Sequence, residues 1–465
     1  VFDPNVHMPS PSQQPLEADL NAAQSLVDWA DHLVFVYPTW WGTMPALLKG
    51  FLDRIMTPGF AFRTSEGGTG YEGLLQGRSA ELITTMDTPP LVHRLLYRQP
   101  GKNAMARATL GFCGIWPVRS LMFGSVRHSD TAQREAWLSR AYAAGRRLAQ
   151  GRIGAGEWLA HKAGAWLRAL RLQFYPMTWV AYTVGALAAG PEAGVFGNPV
   201  FWVGYLCLFL LEVATVLVNE LVDYGTDRNN RFYGPFTGGS RVLVEGQLSK
   251  REVRLGVVTA SMGFLVAVAW LVSLSPAGPM TLLIVFGALA ILAIGYTAPP
   301  LKLSYRSLGE VDVALTHSVG VLLCGYVFLG ADWRDPLPWL LSLPLLLAIV
   351  PSITLSGIPD LESDAAESKR TIAVRLGTSG ALWVALVCTL LAAGAGVALQ
   401  FMGIVNDAYA GIVYVAIPHG IWLAWLLWRE LGRRRPPGRI DGLMGVSLGY
   451  VLWFGLIPLF NLTLR

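Results

Sequence analysis

The chain has 465 residues, 53% of them hydrophobic and only 14% charged, with a net charge of +5. A soluble protein carries roughly 25% charged residues, so the composition excludes a wholly soluble protein and points to one largely embedded in membrane. The positive balance gives no case for nucleic acid, because the basic residues sit between apolar runs, and the widely spaced Cys113, Cys207, Cys324 and Cys388 show no CxxC or CxxH pattern that would indicate a zinc site or a disulfide framework.

The chain opens on Val1-Phe2-Asp3-Pro4 without an initiator Met or a signal-peptide pattern, a start that reads as internal to a domain. Residues 1–150 then alternate in an α/β manner. A helix is predicted over Gln14 to Ala30, and the apolar, β-rich run from His32 to Tyr37 reads as a buried parallel strand. The turn Pro38-Thr39-Trp40-Trp41-Gly42 follows, then a helix from Met44 to Met56. Ala80 to Thr85 and Val118 to Ser125 are further strands, and Ser129-Asp130 caps a last helix ending near Leu148. This order predicts an incomplete α/β, doubly wound domain.

The string from Tyr37-Pro38-Thr39-Trp40-Trp41-Gly42 through Lys49-Gly50-Phe51-Leu52-Asp53-Arg54 is followed by Pro58-Gly59-Phe60-Ala61-Phe62 and Gly73-Leu74-Leu75-Gln76-Gly77. Together these resemble the flavodoxin-like NAD(P)H:quinone oxidoreductase family. The resemblance implies that Pro38, Thr39, Trp40, Trp41 and Gly42 lie along the ring of FMN or FAD, with NAD(P)H as reductant. Two departures stand out. The family's first strand and phosphate-binding turn would precede Val1, and its second flavin loop, usually Gly-rich, reads Thr84-Thr85-Met86-Asp87-Thr88-Pro89-Pro90. A sheet without that strand exposes apolar surface. The residues alone also admit Trp40 and Trp41 as packing aromatics in a domain that binds nothing.

Residues 151–172 place Glu157, His161, Lys162, Arg168 and Arg171 among Trp158, Leu159, Trp166, Leu167, Leu170 and Leu172. That pattern suits either an amphipathic helix on the membrane surface or a solvated linker helix. From 173 to 465 an all-α bundle of nine transmembrane helices is predicted, at about 174–190, 199–220, 255–274, 280–298, 311–331, 337–357, 380–402, 409–428 and 442–463. The loops after the even spans hold sixteen Lys or Arg, including Arg434 and Arg435, whereas those after the odd spans hold only Arg334. The positive-inside rule therefore puts the even loops and the N-terminal domain in the cytoplasm, Arg465 outside, and the protein in a bilayer that reads as a bacterial inner membrane.

Two acidic clusters fall on that cytoplasmic side. Asn219, Asp223 and Asp227 are four apart and share one face of a continuing helix, and Asp360 and Asp364 repeat the spacing just after the sixth span. Carboxylates at the mouth of apolar helices suggest a functional site, and two such pairs with basic neighbours can hold Mg²⁺ bridged to a diphosphate. The residues alone also admit a transport or membrane-assembly protein, with these acids marking an ion path and the N-terminal domain regulatory. Within the spans, Glu212 falls on the stripe of Asn219, His317 and His419 suit hydrogen bonds inside the bundle, and Trp202, Trp339, Trp422 and Trp453 suit interface or packing positions.

Asn219-Glu220-x-x-Asp223-x-x-x-Asp227, Asp360-x-x-x-Asp364 with Lys369-Arg370-Thr371, the loop from Tyr296 through Pro299-Pro300-Leu301-Lys302 to Arg306, and Gly238-Gly239-Ser240-Arg241 together resemble the UbiA superfamily of membrane prenyltransferases. The last segment is nearest the branch making menaquinone-type naphthoquinones. Glu220 stands where that family usually has Asp. The resemblance implies Mg²⁺ held by Asn219, Asp223, Asp227, Asp360 and Asp364, and a polyprenyl diphosphate bound with the help of Arg228, Arg241, Tyr296, Lys302, Arg306, Lys369 and Arg370. It also implies an aromatic, quinol-type acceptor. The fusion suggests that the N-terminal domain reduces a quinone to the electron-rich quinol that the electrophile needs.

Overall fold

The chain divides into two units, Val1–Ala155 and Gly156–Arg465, in a computed structural model. Residues 16–64, 71–149, 155–190, 194–234, 236–433 and 438–464 are described. Val1 to Pro4, Gln14, Gly151, Arg434, Arg435 and Arg465 lie outside them, as do the side chains of Glu157, Trp158 and His161.

In the first unit, β1 (His32–Pro38), β4 (Ser79–Thr85) and β5 (Val118–Phe123) form a parallel sheet in the order β1-β4-β5, with His32 opposite Ser79 and Ala80 opposite Val118. The middle strand, Ser-Ala-Glu-Leu-Ile-Thr-Thr, is buried along most of its length, as a parallel strand covered on both faces should be. Leu82, Leu52, Ile55, Met105 and Leu110 form the core, supported by α1 (Ala18–Trp29) and α2 (Ala46–Ile55). A last helix, α3 (Thr131–Ala149), follows β5. The sequence reading missed an antiparallel hairpin of β2 (Phe62–Thr64) and β3 (Tyr71–Gly73), the short helices Pro90–Leu95 and Pro100–Asn103, and a π turn over Ala104–Gly111. On β1, Val34 and Val36 are 54% and 71% exposed, the bare apolar surface that a three-stranded sheet leaves.

The second unit is helical. Its helices are α4 (Ala155–Leu170), α5 (Tyr175–Ala189), α6 (Pro199–Val222), α7 (Tyr224–Asn229), α8 (Lys250–Leu274), α9 (Pro279–Gly295), α10 (Gly309–Phe328), α11 (Pro336–Ser356), α12 (Leu361–Ala366), α13 (Ile372–Met402), α14 (Ile412–Arg433) and α15 (Asp441–Thr463). Among the described residues seven, α6, α8, α10, α11, α13, α14 and α15, are long and apolar enough to cross a membrane. The other two of the nine expected spans, α5 and α9, are shorter helices of 15 and 17 residues. At 1.5 Å per residue both fall short of the roughly 30 Å hydrocarbon thickness. The sequence runs were longer because apolar Phe174 and Ala298 belong to turns, and because Gly190, at φ 61°, ends α5 in a left-handed cap.

Small residues bring α5 and α10 together. A Cβ on Gly185 would sit 1.9 Å from the Leu322 carbonyl oxygen, and one on Gly325 would sit 2.0 Å from that of Tyr182. Such close backbone approach is how helices associate in lipid, where apolar burial offers little driving force. Helix α10 loosens at its middle into a π turn over Thr316–Gly320. Helix α13 kinks at Gly377, whose φ of 69° interrupts it near its start.

The linker helix α4 packs one face on the bundle, with Ala165 and Ala169 fully buried against Leu217, Val242 and Val253. Lys162 pairs with Glu252 at 2.6 Å and Arg168 with Glu245 at 3.5 Å. These two basic residues pair with carboxylates of the bundle.

Candidate active site

Helix α6 does not continue through the first acidic cluster. It stops at Val222, Asp223 has turn geometry (φ −84°, ψ 7°), and α7 carries Asp227. The spacing nevertheless survives, because Asp223 N–H donates to Asn219 C=O at 2.8 Å and Asp227 N–H to Asp223 C=O at 2.9 Å. In the second cluster Asp360 precedes α12, and Asp364 N–H donates back to Asp360 C=O at 2.8 Å. Each cluster keeps its polar side chains at helical intervals and so on one side, two turns in the first cluster and one in the second.

The two clusters meet at Lys369. Its ammonium lies 2.9 Å from Asp223 Oδ2 and 3.6 Å from Asp364 Oδ1, with all three side chains nearly buried. Asn219 Nδ2 donates to Asp223 Oδ2 at 2.9 Å. The loop after the first cluster is latched to the second: Asn230 Nδ2 donates to Asp360 Oδ1 at 2.6 Å, and the Thr237 hydroxyl donates to the same oxygen. Behind these groups opens a cavity of about 380 Å³, polar where Asn219, Asp223, Asp227, Asp360, Asp364 and Lys369 line it and mostly apolar beyond.

Electrostatics favour a cation here. Burial pushes Asp227 up to about 7, with Arg171 opposing and Asp223 adding to the rise. Burial likewise pushes Asp364 up to about 7 against the pull of Lys369, and raises Asp360. Burial works to discharge Lys369, but the Asp223 and Asp364 carboxylates outweigh it and hold the ammonium charged. Seven carboxyl residues, Asp223, Asp227, Asp360 and Asp364 at the polar end with Glu212, Glu310 and Asp312, thus share a cavity wall with two cations, Lys369 and Arg171. Asp223 Oδ1 is buried without a hydrogen-bond partner. Among the described residues no three His, Cys, Asp or Glu side chains form a ready cage for a metal. Mg²⁺ needs none, since it typically takes one or two carboxylates and completes its shell with substrate phosphates and water. The all-oxygen donors, the orphaned Asp223 oxygen and the excess of acids fit that ion.

The expected substrate-binding residues divide. Lys369 and Tyr296 line the cavity. Lys302 stands just outside, its ammonium 4.6 Å from the Tyr305 ring that Lys369 approaches at 5.6 Å. Arg241 braces the wall from behind, donating to the Asp227 carbonyl at 2.8 Å and lying over the Tyr233 ring. Arg306 donates to the Pro300 carbonyl, while Arg228 and Arg370 are exposed, and none of the three lines the cavity. Glu220, next to Asn219 but about 100° around the helix, does not line it either. It accepts from Ser240 N–H at 3.3 Å and anchors the 238–240 loop. His419 is held inside the bundle between the Val446 carbonyl and the Trp453 indole N–H. Glu212 and His317, by contrast, reach the cavity wall.

Residues missed in the sequence include Arg171, Asn230, Thr237 and Gly239. Gly239 has φ 72°, and a Cβ there would sit 1.9 Å from Asp227 Oδ2. Gly239→Ala is therefore expected to push Asp227 aside and cut turnover about a hundredfold, the scale of a misplacement near 1 Å. Gly246→Ala, at φ 66° with open space around it, should cost only about 1 kcal/mol of backbone strain. Comparing turnover and thermal melting for the two variants checks this.

In the first unit the 38–42 turn lies beyond the carboxyl end of β1. Trp40 and Thr43 exchange backbone hydrogen bonds of 2.9 and 3.0 Å, and Thr39 N–H donates to Thr85 C=O at 2.7 Å. Trp40 and Trp41 are strongly exposed, so they offer stacking surface to a flat ring. None of the strand-to-helix turns among the described residues, 38–45, 86–89 and 124–130, is glycine-rich. The fit to a flavin therefore extends to its ring and not to its phosphate.

Residues 2–144 match the flavodoxin-like fold family and residues 177–440 the UbiA prenyltransferase family. An uncharacterized NAD(P)H oxidoreductase of Haemophilus influenzae is 29% identical over 26% of this chain and 60% of its own length. The chain thus spans less than two thirds of that relative. A 1,4-dihydroxy-2-naphthoate octaprenyltransferase of Escherichia coli is 28% identical over 49% of this chain and 75% of its own length. The apo structure of a UbiA homolog from Aeropyrum pernix is 21% identical, with a TM-score of 0.46 over 60% of this chain and 95% of that one. With more than half of its residues matched by that family and seven helices able to cross a membrane, the chain is an integral membrane protein belonging to the UbiA prenyltransferase family, preceded by a flavodoxin-like domain.

Proposed function

We propose that the protein transfers an isoprenyl group from a polyprenyl diphosphate to an aromatic, quinol-type acceptor within the membrane. The observation carrying this reading is the convergence of Asp223, Asp364 and Lys369 at the polar end of an otherwise apolar cavity. An anionic head and a long hydrocarbon tail match the two parts of that wall. Asn219, Asp223, Asp227, Asp360 and Asp364 would hold Mg²⁺, which when bound neutralises charge on a departing diphosphate. Lys369 adds a fixed positive charge aimed at the same place, worth most where water is excluded. Arg171, whose charge acts on Asp227 and Asp360, adds a second. Lys302, Arg306, Arg228 and Arg370 stand nearer the surface, where they suit recruitment of the diphosphate and orientation of the chain with this face cytoplasmic. The apolar body keeps water from the allylic cation that forms as the diphosphate leaves.

An allylic cation attacks an electron-rich ring, so the acceptor must be the hydroquinone. The flavodoxin-like domain, through the Pro38–Gly42 turn, supports a coupled reading in which NAD(P)H-driven reduction supplies that hydroquinone beside the transferase. Purified chain in nanodiscs is expected to prenylate a naphthohydroquinone directly, and the corresponding naphthoquinone only when NAD(P)H and flavin are added. Equal rates on the two oxidation states without reductant would overturn the coupling. Release of pyrophosphate from labelled geranylgeranyl diphosphate, dependent on both Mg²⁺ and acceptor, separates this enzyme from a transporter using the same acids.

A further inference from the structure

One cluster in the cavity wall is not used by the acidic clamp. On α10, Asp312, Val313, Thr316 and His317 face the cavity together. Asp312 is only 4% exposed, and its Oδ1 has no hydrogen-bond partner. The neighbouring Glu310 is half committed, since its Oε1 accepts from Ile372 N–H at 2.6 Å at the start of α13, while its Oε2, like Asp312 Oδ1, is buried without a partner. The Thr316 hydroxyl is also committed, donating to the Asp312 backbone carbonyl at 2.8 Å. His317 Nδ1 lies 3.1 Å from the Val313 carbonyl, which can only accept. The Thr316 hydroxyl is equally near Nδ1, at 3.1 Å, and in the tautomer that donates Nδ1–H to the Val313 carbonyl Nε2 is left as an acceptor. No donor to Nε2 is recorded among the described residues.

A membrane helix that turns a carboxylate and an imidazole lone pair toward one cavity, with no protein donor for either, is built for a ligand bringing donors of its own. The isoprenyl chain has none. The π turn over Thr316–Gly320 strengthens the case, because such bulges in a helix mark functional positions. Leu289, Val321 and Ile349 contribute apolar lining to the same cavity.

We propose that Asp312 and His317 form the acceptor subsite and that its ligand is a dihydroxylated aromatic, one hydroxyl donating to the Asp312 carboxylate and the other to His317 Nε2. The inference rests on the prenyl-transfer reading and names its second substrate. As a ring carbon forms its bond to C1 of the donor, the C1–O bond breaks and its electron pair leaves on the diphosphate. The hydroxyl proton passes to Asp312. Tautomerisation then moves the ring-carbon hydrogen, as a proton, to the same oxygen and restores the aromatic ring. One proton is released overall and nothing is oxidised.

The test uses the full chain in nanodiscs with 1,4-dihydroxynaphthalene as acceptor and labelled geranyl diphosphate with Mg²⁺ as donor. Asp312→Asn is expected to lower kcat about a hundredfold, the usual contribution of a positioned proton acceptor. His317→Phe is expected to raise the acceptor KM about tenfold, the loss of one hydrogen bond from a buried group. Donor binding should stay within about twofold in both, which also shows that the variants fold. Calorimetric binding of 1,4-dihydroxynaphthalene without donor or Mg²⁺ should weaken in both, and the dimethyl ether should bind wild type no better than the variants. If wild type transfers the prenyl group while both variants keep wild-type kcat, acceptor KM and acceptor binding, the subsite is overturned. If no transfer occurs in wild type but acceptor binding still depends on Asp312 and His317, the subsite stands and the prenyl-transfer reading falls.

Discussion

Asp223→Ala and Asp360→Ala are each expected to reduce prenyl transfer at least about a thousandfold, near 4 kcal/mol of transition-state stabilisation. The two variants should fail in different ways. Asp223 has one buried oxygen without a partner and another shared by Lys369 and Asn219. Its removal takes away a ligand and leaves Lys369 with Asp364 alone. Asp360 instead accepts from Asn230 and Thr237, so its loss also frees the loop after the first cluster. Asp360→Ala should therefore expose residues 230–239 to proteolysis, whereas Asp223→Ala should leave them protected. Turnover of labelled donor, measured beside limited proteolysis of the full chain, checks both parts. A variant of either kind with near-normal turnover would overturn the metal assignment.

Lys369→Met is the second large effect. Removing one partner of a buried ion pair typically costs about 3–5 kcal/mol, because the remaining charge has no compensation. Here the cost depends on pH. Burial pushes Asp364 and Asp227 up to about 7. With folded values above the roughly 4 of an unfolded Asp, the native state binds protons more tightly. Stability therefore falls as pH rises from about 4 to about 7, and the penalty is complete above that. Without Lys369 the carboxyls hold their protons to still higher pH, which widens the window. The variant should melt well below wild type at pH 8 and closer to it at pH 6. Added Mg²⁺ should recover more of the loss at pH 8 than at pH 6, because the ion needs the carboxyls ionised. Thermal melting of the solubilised chain at the two pH values, with and without Mg²⁺, reads this out.

Much of this site was legible in the sequence because it is written in helical spacing. Asn219, Asp223 and Asp227 keep their four-residue intervals even though α6 breaks at Asp223, since the i to i−4 hydrogen bonds survive the break. Lys369 was legible as a basic neighbour of the second cluster. What could not be read depends on the path of loops. Gly239 and Thr237 act through contacts with Asp227 and Asp360 that no local pattern encodes. Arg171 looked like one more basic residue of a surface linker, and its place in the cavity wall follows from the docking of α4 through Ala165 and Ala169. Arg228, Arg306 and Arg370 show the opposite limit, because a basic residue near a span already has a reason to exist in orienting the chain. In the first unit the strands were legible from β-rich apolar runs. The β2–β3 hairpin was not, because three-residue strands are too short to show alternation.

The bond that ties Asn230 and Thr237 to Asp360 has a thermodynamic consequence. The loop following the first acidic turn has its anchor on the second, so neither turn can reach its working geometry alone. The coupling is reciprocal: if a ligand at one cluster steadies the loop and so raises the affinity of the other, a ligand at the other raises the affinity of the first by the same factor.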